Sequence, residues 1–101
     1  MPMTPERKFR LRASRDLKEI PASWFESIQQ KAIHGTPDML GCVNGHFVAL
    51  EFKKSIKDKP KGIQKHKLEQ ISEAYGRVYV PCPENWVEVL EELTKLSRRK
   101  L

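Results

Sequence analysis

The chain has 101 residues, 39% of them hydrophobic and 32% charged, and 19 Lys+Arg against 13 Asp+Glu leave a net charge of +6. That length suits one small domain with one core, spanning 1–101, and leaves no room for a second. No apolar run approaches the roughly 20 residues of a membrane span, the opening MPMTPERKFRLR lacks the apolar stretch of a secretory signal, and two cysteines, Cys42 and Cys82, make neither a disulfide framework nor a metal knuckle. The chain reads as a reduced, cytoplasmic protein.

Residues 5–20 predict a first helix: Phe9, Ala13, Leu17 and Ile20 fall on one stripe, Pro5 suits a first helical position and Pro21 marks the end. A short strand is expected over 24–31 (WFESIQQK). Asn44-Gly45 lies between the apolar runs PDMLGCV and HFVALEFK and signals a hairpin, because a type I′ turn needs positive φ at both central residues. A lysine-rich loop follows over 54–60. A second helix is expected over 60–75, opened by Pro60, closed by Gly76, with Gln64, Leu68, Ile71 and Tyr75 on one stripe. RVYVP at 77–81 makes another strand. A third helix over 83–98 carries Trp86, Val89, Leu90, Leu93 and Leu96 on one face, its acids early and its bases late, as the helix dipole favours. The order is α-β-β-β-α-β-α, and the fold class is α/β.

Positive charge is clustered. Residues 53–67 hold Lys53, Lys54, Lys57, Lys59, Lys61, Lys65 and Lys67 against one acid, Asp58, and a second cluster (Arg7, Lys8, Arg10, Arg12, Arg15) opens the chain. Clustered lysine beside a core is the footprint of a polyanion partner, nucleic acid above all, although a solvated loop has the same composition.

A two-residue Asn44-Gly45 turn pairs Val43 with His46, and counting outward sets Asp38 opposite Glu51. Side chains alternate along a strand, so Asp38, Leu40, Cys42, Phe47, Ala49, Glu51 and Lys53 share one face, and Met39, Val43, Val48, Leu50 and Phe52 the other. Both faces are apolar near the turn, so helices are expected to cover the sheet on both sides. Like charges directly opposite in a sheet are destabilising by roughly 0.2–1 kcal/mol, more when partly buried, unless a proton or a cation joins them. Hard divalent ions such as Mg²⁺ and Mn²⁺ favour carboxylate, carbonyl and water oxygens. Asp38, Glu51 and the Phe52 carbonyl supply such a set, and Lys53 stands beside it to hold an attacking water or a phosphate. The bland alternative is Lys53 neutralising a surface pair.

Gly35-Thr36-Pro37-Asp38, Asn44-Gly45, Val48-Ala49-Leu50-Glu51-Phe52-Lys53 and a Gln64 after a basic loop together resemble the VRR-NUC family of PD-(D/E)XK nucleases, particularly its small stand-alone phage members; the likeness covers roughly residues 5–81. It implies a restriction-endonuclease-like αβββαβ core with a mixed sheet flanked by helices. It implies a Mg²⁺- or Mn²⁺-dependent endonuclease that acts as a homodimer on branched DNA, similar to Holliday junction resolvases, in the host cytoplasm if phage-encoded. By motif position Asp38 and Glu51 become metal ligands, Lys53 the catalytic lysine and Gln64 the family's glutamine after the motif. Related resolvases add a glutamate from helix one, for which Glu6 is the candidate and Glu19 and Glu26 are rivals. Lys54, Lys57, Lys59, Lys61, Lys65 and Lys67 are the expected DNA contacts. The alternatives are a flap or nicking nuclease without junction preference, and a non-catalytic nucleic-acid-binding module.

Several residues have a plainer reading. Gln64 is either a satisfied helix-start residue or a site contact, and Lys67 either touches phosphate or is solvated. His34 suits a turn, with DNA contact the lesser reading, and His46 and His66 form no metal cluster. Cys42 is expected in the core. Trp24 and Phe25 suit packing better than stacking on bases at a branch point.

Overall fold

In the computed structural model, which describes residues 2–28 and 34–99, the elements run α1 (Pro5–Lys18), β1 (Ser23–Ser27), β2 (Met39–Val43), β3 (His46–Leu50), α2 (Gly62–Glu73), β4 (Arg77–Tyr79) and α3 (Trp86–Ser97). The order is the one the sequence predicts. Helix α1 starts where Thr4 accepts a hydrogen bond from the Arg7 N–H (3.2 Å), with Pro5 in the first turn and Arg15 and Lys18 in the last. Phe9, Ala13 and Leu17 form its buried stripe.

The four strands lie in the order β1-β2-β3-β4, the first three antiparallel and β4 parallel to β3. This is an α/β fold with a mixed sheet. Asn44 (φ 50°) and Gly45 (φ 85°) make the tight turn, and the register runs from Val43↔His46 to Met39↔Leu50, as counted from the turn. The Asn44 side chain also donates to the carbonyls of Leu96 (3.2 Å) and Arg99 (2.7 Å), so the turn satisfies the open carbonyl end of α3.

One face of the sheet carries the core. Met39, Val43, Val48, Leu50 and Phe52 pack against Phe9, Ala13 and Leu17 of α1 and Trp86, Val89, Leu93 and Leu96 of α3. Phe9 meets both Phe52 and Trp86 edge-on, with ring centroids 5.8 Å apart in each case; such pairs contribute about 0.5–1.5 kcal/mol beyond burial. The Trp86 indole N–H donates to Asp16 of α1 (2.8 Å), tying the two helices together.

The opposite face is only partly covered, contrary to expectation. Helix α2 belongs to the crossover from β3 to the parallel β4 and packs on that side of the sheet, as the reach of Gln64 to Glu51 and the crowding of Ile71 and Phe47 around Gly76 show. Trp24 and Cys42, which follow Phe47 across the sheet on β1 and β2, lie beyond its cover. Cys42 is exposed, not in the core, and Trp24 is 60% exposed, not packed. Its neighbour Phe25, on the other face, does pack against the core.

Element ends differ in places. The first strand stops at Ser27, and residues 29–31 of its expected span lie outside the described residues. Helix α2 begins at Gly62 with Lys61 as its cap, so Pro60 stays outside. It ends on Tyr75 (φ 67°), not Gly76: Tyr75 N–H donates to Ser72 and Gly76 N–H to Ile71, a Schellman pairing. Gly76 is needed there for space, since a Cβ would sit 2.6 Å from the Ile71 side chain. Helix α3 starts three residues later than expected because Asn85 holds an intervening turn, accepting from Cys82 N–H (2.8 Å) and donating to the Val80 carbonyl (3.1 Å).

Candidate active site

The hairpin register carries past its last ladder pair to Asp38 and Glu51. The Asp38 N–H donates to Glu51 Oε1 (3.2 Å), and Asp38 Oδ2 accepts from the Phe52 N–H (2.9 Å). Two carboxylates therefore face each other across the open end of the hairpin, each fastened to the other strand's backbone. Glu51 is almost wholly buried, with 5% of its side chain exposed, while Asp38 keeps 28%. The pair is no surface ornament.

Successive amides of residues 51–53 find Tyr79, Asp38 and Pro81 in turn. That alternation marks extended backbone, in which a residue's carbonyl points the same way as its N–H. The Phe52 carbonyl consequently lies on the Asp38 side, where the sequence expected a third oxygen.

Lys53 and Gln64 complete the cluster. Lys53 Nζ donates to Gln64 Oε1 (2.8 Å) and lies 3.5 Å from Glu51 Oε2, which also accepts from Gln64 Nε2 (2.5 Å). Gln64 is thus a contact of the site, one turn before the buried Leu68. Its helix stands close because Gly35 (φ 81°) lets the chain approach it: a Cβ there would lie 2.7 Å from the Ile63 side chain and 3.0 Å from the Gln64 nitrogen. Gly35 thereby fixes how Pro37-Asp38 and α2 converge.

Burial pushes the Glu51 carboxyl above its ordinary range, and the adjacent Asp38 pushes it further; Lys53 and the hydrogen bonds from Asp38 and Lys53 pull the other way. A half-desolvated anionic pair of this kind binds a proton or a cation more readily than either acid alone.

Glu6 lines a cavity of about 250 Å³ with Phe9, Arg10, Phe52, Lys53, Lys54 and Asp58. It does not complete a cage: among the described residues no three of His, Cys, Asp and Glu group closely enough to hold a metal ion. Of its rivals, Glu19 caps the end of α1 and Glu26 is exposed on β1 opposite Leu40. The donor set of two carboxylates and a carbonyl is of the oxygen type that hard divalent ions take.

The side chain of α1 that reaches the pair is Arg10, which donates to Asp38 Oδ2 (3.3 Å) and stands 5.7 Å from the centre of the Phe52 ring. The sequence placed Arg10 in a basic cluster without a site role. Its position one helical turn after Glu6, on the same face, was the available signal.

Lys57, Lys59 and Lys61 join Lys53, Asp58 and Gln64 around a second cavity of about 320 Å³. It shares Lys53 and Asp58 with the first, so two lysine-bearing cavities adjoin the cluster at Lys53 and Gln64. Lys54 lines the first cavity. Lys65 lies on the outer side of α2, paired with Glu69 (3.9 Å), and Lys67 lines neither cavity. The loop is tethered at Ile56, whose N–H donates to Glu84 (3.1 Å) and holds that carboxyl below its ordinary range. His34 and His66 are exposed, and His46 faces Val43 just past the turn. No helix among the described residues is long and apolar enough to cross a membrane.

Comparison with known proteins finds no matching family model, no matching curated protein and no matching solved structure.

Proposed function

We propose that the chain is a divalent-metal-dependent endonuclease of the PD-(D/E)XK class, VRR-NUC type, with a restriction-endonuclease-like core, cutting phosphodiester bonds in branched DNA. The observation that carries this reading is the hydrogen-bonded cluster Asp38–Glu51–Gln64–Lys53 beside a lysine-lined cavity. A merely structural ion pair needs no second carboxylate, and a merely DNA-binding loop needs neither.

Asp38, Glu51 and the Phe52 carbonyl hold Mg²⁺ or Mn²⁺ in this reading. When bound, the ion supplies Lewis acidity toward a phosphoryl oxygen and an acidified water. Lys53 stands at the charge that develops on the phosphate, and Gln64 fixes both Lys53 and Glu51 through its two amide atoms. Lys54, Lys57, Lys59 and Lys61 hold flanking phosphates, so affinity falls steeply with salt. A four-way junction is large against one such domain. A two-fold homodimer sets two sites on symmetry-related strands and suits paired cuts.

The test compares an immobile four-way junction, a flap and a linear duplex at equal concentration, with and without Mn²⁺, beside Asp38→Asn. Junction cleavage that needs Mn²⁺ and falls on the order of a thousandfold in the variant, with junction binding unchanged or tighter, supports the proposal. Equal cutting by both proteins overturns it, and metal-dependent cutting without junction preference reduces it to a flap or nicking nuclease.

A further inference from the structure

Asp38 Oδ2 has two partners, the Phe52 N–H and the Arg10 guanidinium. Their characters differ. The Phe52 amide is fixed by the strand, whereas Arg10 sits at the end of a side chain that is 54% exposed and reaches the acid from α1 at 3.3 Å. Arg10 also lies over the Phe52 ring and lines the cavity that holds Lys53 and Lys54. A guanidinium matches carboxylate and phosphate with the same planar fork. It therefore has a second partner to turn to wherever a phosphate enters that cavity, with the ring face as its resting surface.

A divalent ion and Arg10 draw on the same carboxylate and repel one another. Resting on the nuclease reading above, we infer that Arg10 is an exchangeable counter-cation. It neutralises Asp38 while the site holds no divalent ion, and moves to a substrate phosphate when an ion takes its place. The exchange has two consequences. Without DNA, Arg10 competes with the ion and weakens its binding. With DNA, the displaced guanidinium gains a phosphate, so ion and DNA each strengthen the other by the same factor. Arg10 is a positioning residue in this scheme, and the coupling is its signature; a side chain that only braced α1 against the sheet would leave that coupling alone.

The experiment uses Ca²⁺ as a hard divalent probe. Its affinity for the DNA-free protein is measured by calorimetry in wild type, Arg10→Gln, Arg10→Lys and Asp38→Asn. Affinity for a synthetic four-way junction is then measured by fluorescence anisotropy in EDTA and in Ca²⁺. Arg10→Gln is expected to bind Ca²⁺ about three- to tenfold more tightly without DNA. Wild type gains about tenfold in junction affinity on adding Ca²⁺, Arg10→Gln, left with direct ion–phosphate contact alone, about threefold, and Arg10→Lys falls between. If Ca²⁺ binding needs Asp38 but Arg10→Gln binds it no tighter, or shows the wild-type gain on DNA, the exchange is wrong and the metal site stands. If Asp38→Asn binds Ca²⁺ as wild type does, the metal site itself falls, and Arg10's role with it.

Discussion

The two ends of one hairpin behave oppositely. At the closed end, Asn44 and Gly45 take the positive φ values of the turn, and the Asn44 amide serves two carbonyls at the end of α3. Those two hydrogen bonds favour the fold. At the open end the same strands deliver Asp38 and Glu51 to each other, and Arg10, Lys53 and Gln64 are recruited to make the juxtaposition tolerable. Only about 19–20 Å of strand, at 3.2–3.4 Å per residue, separates Asp38 from Asn44. Regular pairing can thus hold an unfavourable charge arrangement in place, provided that stabilising contacts are concentrated a few residues away.

The contrast is sharpest for Asp38→Asn against Asn44→Ala. On the proposed nuclease reading, the first is expected to lower cleavage on the order of a thousandfold without loss of stability. The second removes two hydrogen bonds and sets an alanine at positive φ, so urea denaturation should register a loss of about 2 kcal/mol, while any turnover per folded molecule stays near wild type. An Asn44→Ala protein that is as stable as wild type would erase the distinction between the ends.

Glu51→Gln tests the cost of the open end directly. Because the folded-state carboxyl of Glu51 is raised above 4.5, the folded chain binds its proton more tightly than the unfolded chain does. Stability attributable to Glu51 is therefore full below pH 4.5 and lost as pH rises through the folded value. Removing the titrating carboxyl should flatten that downward slope, read from urea midpoints between pH 4 and 7. Glu84 has the opposite sign: its carboxyl is lowered by the Ile56 N–H, so its contribution is present above pH 4.5 and lost as pH falls through the folded value.

The smallest effect lies away from both ends. Tyr75 holds a left-handed conformation and is 94% exposed, so Tyr75→Gly relieves strain with little loss of packing. A gain of about 0.5–1 kcal/mol is expected from thermal denaturation. A loss would mean that the ring has contacts in solution that outweigh its backbone strain.

Much of this architecture was legible one residue at a time. The Asn-Gly turn set the register, and the register set Asp38 against Glu51, because a strand's side chains repeat every second residue and a tight turn admits one pairing. Gln64 was legible as a residue facing the sheet, since it precedes Leu68 by one helical turn. Trp24 and Cys42 were misplaced because nothing local states how far α2 covers the sheet. The end of α2 was misassigned to Gly76 because glycine serves there to make room for Ile71, while a tyrosine takes the unusual backbone angles.

The sequence alone determined the order of elements, the buried stripes of α1 and α3, the hairpin and the pairing of its acids. These follow from periodicities of two and 3.6 and from turn stereochemistry, which act over a few neighbouring residues. Tertiary structure decided that Arg10, not Glu6, reaches Asp38, that Asn44 caps α3, and that one corner of the sheet stays bare. Each of these depends on how separate elements are set in space, where an ångström at a side-chain tip decides which partner is met.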